Sequence, residues 1–302
     1  MQEQTQNKKE NKKTRLSKET QLIIYKLISI ILMLILIVIL GKWGYGKYVE
    51  YRSAKLYEDM MNQVNNTAGN NPQQPVEEID TEVNTEEIST EEIDTEEADT
   101  EDSSLPDDVD IPQKNLDWEY MHGLNKDIYA WITIPNTQID YPILQHETDD
   151  SYYLSHNMDG SKGYPGCIYT EKANYKDFLD FNTVIYGHNM KSGMMFRNLH
   201  DFEDRTFFDN NKYIYIYTEE ETMVYEIYAA YTANDAHILN TNDFSTELGR
   251  QAYLETSLAK AEAGGGNVRD EVEVTSDSVI ITLSTCTSRS DQRYLVQALR
   301  IK

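Results

Sequence analysis

From Leu22 to Leu40 the chain reads LIIYKLISIILMLILIVIL, an apolar run with a single charge, Lys26. At 1.5 Å rise per residue this run makes a helix roughly 28 Å long, enough for one hydrocarbon core. Lys26 lies close enough to the end of the run to snorkel. A further short helix is predicted over Lys47–Val64, within a juxtamembrane stretch spanning 41–64. The apolar pattern then stops. Residues 65–112 read NNTAGNNPQQP and then a run that repeats Thr-Glu-Glu-Ile with little variation. Dense like charge with few large apolar groups does not offset ordering entropy, so a disordered, extended linker is expected there. Metal binding by its carboxylates is disfavoured, because a flexible acidic run lacks fixed ligand geometry.

Periodicity returns near Leu116 and predicts a folded domain over 113–302. Leu116, Tyr120 and Leu124 stand at helical spacing, followed by strands around Ala130–Ile134 and Ile139–Leu144 with a turn at Pro135-Asn136 between them. DDSYYLSHN reads as a helical turn with an acidic start, GCIYTE and FNTVIYGHN as strands, and GMMFRNLHDF as a short helix. DNNKYIYIYTEEETMVYEIYAAYTA reads as two strands joined by an acidic turn at Glu219–Glu221. An amphipathic helix begins near Ser245 and ends at the glycines 264–266. Two last strands cover Val279–Leu283 and Tyr294–Leu299. Many strands with few interposed helices favour a mostly β fold, an antiparallel sheet or barrel, over a doubly wound one.

Charge refines this picture. The formal net charge is −25, and residues 76–110 hold 17 acidic residues with no Lys or Arg, so the remainder sums to −8. That balance argues against nucleic acid, which needs clustered Lys and Arg. Residues 1–21 carry six Lys or Arg against three Glu. A basic flank before the apolar run keeps the N-terminus in the cytoplasm and the remainder outside. GKWGYGKYVEYR after Leu40 is bulky and aromatic and offers no small-x-small cleavage site, so an uncleaved anchor is expected rather than a removed signal peptide.

Two cysteines remain for chemistry. In an extracellular chain they admit a disulfide, but their settings differ. Cys167, in Gly-Cys-Ile-Tyr, sits within a strand and has the character of a small buried hydrophobe. Cys286 follows VIITLST at a strand exit, where a side chain meets solvent. A thiol needs a basic or cationic neighbour to act as a nucleophile. Of the six histidines, His122, His146, His156, His200 and His237 lie in polar stretches of ordinary surface character. His188, in TVIYGHNM, stands just past a buried strand in a setting that mirrors that of Cys286. Acyl transfer at a thiol builds negative charge on the carbonyl oxygen, which a guanidinium can stabilise. Arg293 opens the last strand, where a hairpin brings it back beside Cys286; Arg289 falls at the loop tip.

These residues together resemble a sortase, specifically one of class B. The resemblance rests on TLSTC at 282–286, an Arg at the start of the following strand, YGHNMKSGMMF from Tyr186, DIYAWITIPNTQIDYPILQ from Asp127, and DDSYYLSHNMDG with GCIYTE, and it covers about residues 115–302. The helix before the last two strands corresponds to the class B insertion. One departure is the seven-residue gap from Cys286 to Arg293, shorter than in some class B members. The resemblance implies a closed sortase-type β-barrel with flanking helices and a membrane-anchored cysteine transpeptidase on a Gram-positive cell surface. His188, Cys286 and Arg293 would be catalytic, and Ser284, Thr285 and Leu154 would line the substrate groove. The implied partners are surface proteins with a C-terminal sorting signal, cut after Thr, and a cell-wall peptide or pilin amine as acceptor. No metal or cofactor is implied. The alternatives are a thiol protease of surface proteins, which hydrolyses with the same residues, and a non-catalytic binding module.

Overall fold

The computed structural model describes residues 17–68, 105–106 and 108–302. Most of the expected acidic linker and of the basic tail lies outside the described residues. Helix α1 runs without a break over Lys18–Ala68, through both the apolar run and the expected juxtamembrane helix. Within it lies the one described segment long and apolar enough to cross a membrane by length and composition, with a mean hydropathy of 3.1 over an 18-residue window. Two compact units divide the chain, Met1–Tyr51 and Arg52–Lys302.

The second unit contains α2 (Trp118–Leu124), β1 (Ile128–Thr133), β2 (Asp140–Leu144), α3 (Tyr152–Ser155), β3 (Ile168–Thr170) and β4 (Asn182–Tyr186). A 3-10 helix (Phe196–Glu203) and α4 (Arg205–Asn210) follow, then β5 (Tyr213–Tyr217) and β6 (Thr222–Asn234). The chain ends with α5 (Ile238–Thr241), α6 (Glu247–Ala263), β7 (Asn267–Val268), β8 (Ile280–Cys286) and β9 (Gln292–Arg300). The strand order is β5-β1-β2-β3-β4-β8-β9-β6-β7, and β5 also pairs with β6. That extra pairing closes eight strands into a barrel and leaves β7 as a short appendage on β6. Closure removes the exposed edges of the sheet.

Most pairings are antiparallel, as the strand-rich pattern implied. Two are parallel, β2 with β3 and β4 with β8. The second matters most for function, because parallel neighbours end at the same rim. The core is aromatic and β-branched, with Trp131, Phe178, Phe196, Phe202 and Phe208 wholly buried. Phe196, Leu199 and Phe202 recur at a spacing of three, which is the period of a 3-10 helix, and all three are fully buried. Helix α6 is capped by Thr246, whose hydroxyl accepts from the Gly249 amide at 3.2 Å. It buries Tyr253, Leu254, Ser257 and Ala261, and forms one wall of the cavity beside the barrel rim.

Candidate active site

The barrel register alone assembles three side chains. β4 and β8 pair in parallel up to Tyr186 and Ser284. His188 and Cys286 each lie two residues further on, at the same rim. β8 and β9 pair antiparallel, with Cys286 directly opposite Arg293. Three adjacent strands therefore present a histidine, a thiol and a guanidinium side by side, and all three line one cavity of about 280 Å³.

The local sequence explains how each is held. Gly187 N donates to Ser284 O at 3.1 Å, and Thr285 Oγ1 donates to Gly187 O at 2.8 Å, extending the β4–β8 ladder past its last regular pair. His188 Nε2 lies 2.7 Å from Leu154 O. A carbonyl only accepts, so Nε2 carries the hydrogen. Nδ1 is then the ring nitrogen left for proton exchange, and it has no protein partner among the described residues. The Tyr164 ring packs edge-on against His188, 5.1 Å between centroids. The approach of the Leu154 carbonyl depends on Gly166, at φ +70°: a Cβ there would sit 2.6 Å from Tyr153 O and 3.3 Å from Leu154 O.

Arg293 Nη1 donates to the carbonyls of Ser290 (3.1 Å) and Gln292 (2.8 Å). Its Nε and Nη2 have no protein acceptor among the described residues, so they are free for an anionic oxygen. Arg289 is placed differently. It grips Asp291 with two bonds of 3.0 and 2.8 Å, well exposed on the hairpin loop. Ser284, Thr285 and Leu154 all line the cavity, although the Thr285 hydroxyl is committed to Gly187 O. Cys286 and Cys167 are both free thiols, so no disulfide joins them.

The sortase domain family matches residues 132–301. The chain belongs to the sortase family. Sortase B of Listeria monocytogenes serovar 1/2a is 37% identical over 172 residues, which cover 57% of this chain and 67% of that protein. Sortase B of Staphylococcus aureus is 30% identical over 190 residues, covering 61% and 75%. The crystal structure of Clostridium perfringens sortase B superposes with a TM-score of 0.55 at 30% identity, over 61% of this chain and 99% of that one. These three relatives are all sortase B proteins, and the eight-stranded barrel is the sortase fold.

Two histidines of this sortase do not have the surface character their polar neighbourhoods suggested. His237 lines the cavity, and its Nε2 bonds Glu171 at 3.0 Å. Burial pushes the Glu171 carboxyl up in pKa, against the lowering effect of His237. His200 has only 13% of its side chain exposed, and its Nε2 lies 3.0 Å from the backbone oxygen of Cys286. The available signal was the period of three in the 3-10 helix. It sets His200 and Glu203 on one side, next to the buried stripe of Phe196, Leu199 and Phe202.

Proposed function

We propose that this sortase is a membrane-anchored cysteine transpeptidase of class B. The arrangement that carries the reading is the strand register, which sets Cys286 opposite Arg293 and at the same rim as His188. In this mechanism Cys286 Sγ, as thiolate, attacks the carbonyl carbon after a Thr in a C-terminal sorting signal. The C–N bond breaks, and the leaving amine takes a proton from the imidazolium of His188. A thioester to Cys286 remains. An amine from a cell-wall peptide or a pilin lysine then attacks the thioester, gives its proton to His188, forms the new amide and releases the thiolate. The free Nε and Nη2 of Arg293 hold the oxyanion in both steps. Ser284, Thr285 and Leu154 shape the groove that receives the peptide. The apolar run 22–40 anchors the chain once in the membrane, with the basic N-terminus in the cytoplasm and the catalytic unit outside.

The test is peptide cleavage by the full chain in detergent, with circular dichroism confirming each fold. Cys286→Ala is expected to abolish cleavage, and His188→Ala to do nearly as much damage. Arg293→Ala should cost ~100–1000-fold, about 3–4 kcal/mol, as for loss of one oxyanion donor. Arg289→Ala should cost far less, because its guanidinium is spent on Asp291. Arg293→Lys should rescue poorly, since an ammonium does not reproduce the planar fork. Near-native rates in His188→Ala would rule the mechanism out. Hydroxamate formation with hydroxylamine, well above hydrolysis, separates a transferase from a protease.

A further inference from the structure

Behind the thiol, on the side of the barrel wall away from Arg293, two side chains converge on one oxygen. Asn189 Nδ2 donates to the Cys286 backbone carbonyl at 2.9 Å, and His200 Nε2 meets the same oxygen at 3.0 Å. Asn189 continues β4 just past His188. His200 comes from the 3-10 helix, 86 residues away in sequence. The other ring nitrogen, Nδ1, lies 2.6 Å from Glu203 Oε1, one turn along the same helix. The ring also stacks on Tyr294 of β9, 5.0 Å between centroids at 27°. Burial raises the Tyr294 pKa, so that face of the ring meets a neutral phenol.

The hydrogen count is informative. Glu203 is an acceptor, so Nδ1 brings it a hydrogen; Nε2 lies 3.0 Å from both the Cys286 oxygen and Asn189 Nδ2, and it holds this group of atoms together either by donating to the oxygen or by accepting from the amide. A ring protonated only on Nδ1 accepts from Asn189 Nδ2, whose second hydrogen reaches the Cys286 oxygen. A ring protonated only on Nε2 would turn a lone pair towards Glu203. Cys286 is the last residue of β8, where the regular ladder ends and the backbone would otherwise be loose. From this arrangement we infer that His200, oriented by Glu203, is a positioning residue that clamps the Cys286 carbonyl and so fixes the nucleophile's backbone for attack. His200 does not touch the substrate cavity; it acts through Cys286. The inference rests on Cys286 being the nucleophile.

The test compares His200→Phe, His200→Gln and Glu203→Ala in the full chain in detergent. Phenylalanine keeps the stacking on Tyr294 and removes both nitrogens. Glutamine keeps a donor near the place of Nε2. His200→Phe is expected to lower kcat about tenfold, the scale of one lost hydrogen bond, with KM within twofold. Alkylation of Cys286 by iodoacetamide should slow alongside. His200→Gln should recover most of kcat, and Glu203→Ala, an exposed change that leaves the fold intact, should fall between the two. A His200→Phe enzyme with kcat within twofold of the parent overturns the clamp. So does a glutamine variant no better than phenylalanine, or a fall in activity carried entirely by KM. If His200→Phe does not fold, the order of Glu203→Ala and His200→Gln decides: Glu203→Ala at parental kcat overturns the proposal. Retained cleavage in Cys286→Ala would instead sink the nucleophile assignment itself.

Discussion

Burial pushes the Cys167 thiol up to about 12, and the residue has no exposed surface. Its sulfur lies 3.6 Å from His156 O, a weak donor's contact within the core. A thiol with that pKa stays protonated through the whole neutral range, and the protonated form is neither nucleophile nor metal ligand. Cys286 sits half-buried at the rim of the cavity. At pH 8, iodoacetamide should therefore add one group to the native chain, on Cys286, and a second only after denaturation. Mass spectrometry of the digested protein reads this directly, and native modification of Cys167 on the same timescale would contradict it. Cys167→Ala should retain activity and lose ~1–3 kcal/mol of stability, the cost of a small buried cavity. Both predictions separate the two thiols by environment, which the sequence already hinted at through their neighbours: an apolar strand for one, a run of hydroxyls for the other.

Between β4 and the histidine that follows it, Gly187 is the element that lets two strands and the 3-10 helix meet. A Cβ there would come within 2.5 Å of Ile168 Cδ1 and 2.6 Å of Phe196 Cδ2. Both neighbours are fully buried or nearly so, so neither moves away cheaply. Gly187→Ala should cost ~1–3 kcal/mol through overpacking, and should lower peptide cleavage further because His188 is the next residue. Gly123→Ala is the control. It lies in α2 with nothing within 4 Å of the added atom, so its melting temperature should hold or rise slightly. Thermal denaturation of the pair checks this, and equal shifts would show that packing at Gly187 is looser than described. The elements themselves were mostly legible in the sequence, because β4, β8 and β9 are local apolar runs and their ends are marked by Gly-His, Ser-Thr-Cys and Arg. Their meeting was legible only in part. The β8–β9 hairpin is a short-range pairing, whereas the parallel β4–β8 pairing joins segments about a hundred residues apart. The same distance hid His200, whose partner oxygen belongs to Cys286. Elements α5 and β7, of four and two residues, are too short to leave a periodic trace.

At the scale of the molecule, the catalytic unit draws on a part of α1 that the sequence grouped with the membrane-proximal segment. Tyr57 and Met60 belong to the barrel's own hydrophobic core, 4% and 1% exposed. Tyr57 stands edge-on to Tyr141, 5.6 Å between centroids, and donates to Gly166 O at 3.1 Å. Gly166 is the residue that lets Leu154 reach His188, so this stretch of helix braces the back of the site. Arg52 also pairs with Asp159, but both are partly solvated and the pair adds little. Two truncations therefore have different consequences. A chain of residues 52–302 keeps the whole compact unit and should melt as the full protein's catalytic unit does. A chain of residues 113–302 loses Tyr57 and Met60. Burying a side chain of that size contributes ~1.5–3 kcal/mol, and a unit of this length shifts by about 2–4 °C per kcal/mol. The shorter chain should melt ~10 °C lower and cleave peptide more slowly, as the Gly166 turn loosens and with it the carbonyl that holds His188 Nε2. Calorimetry and peptide cleavage on the two fragments decide the matter. Equal melting temperatures would mean that the helix is a spacer and the core closes without it, and an equal rate as well would remove any link from the helix to the site.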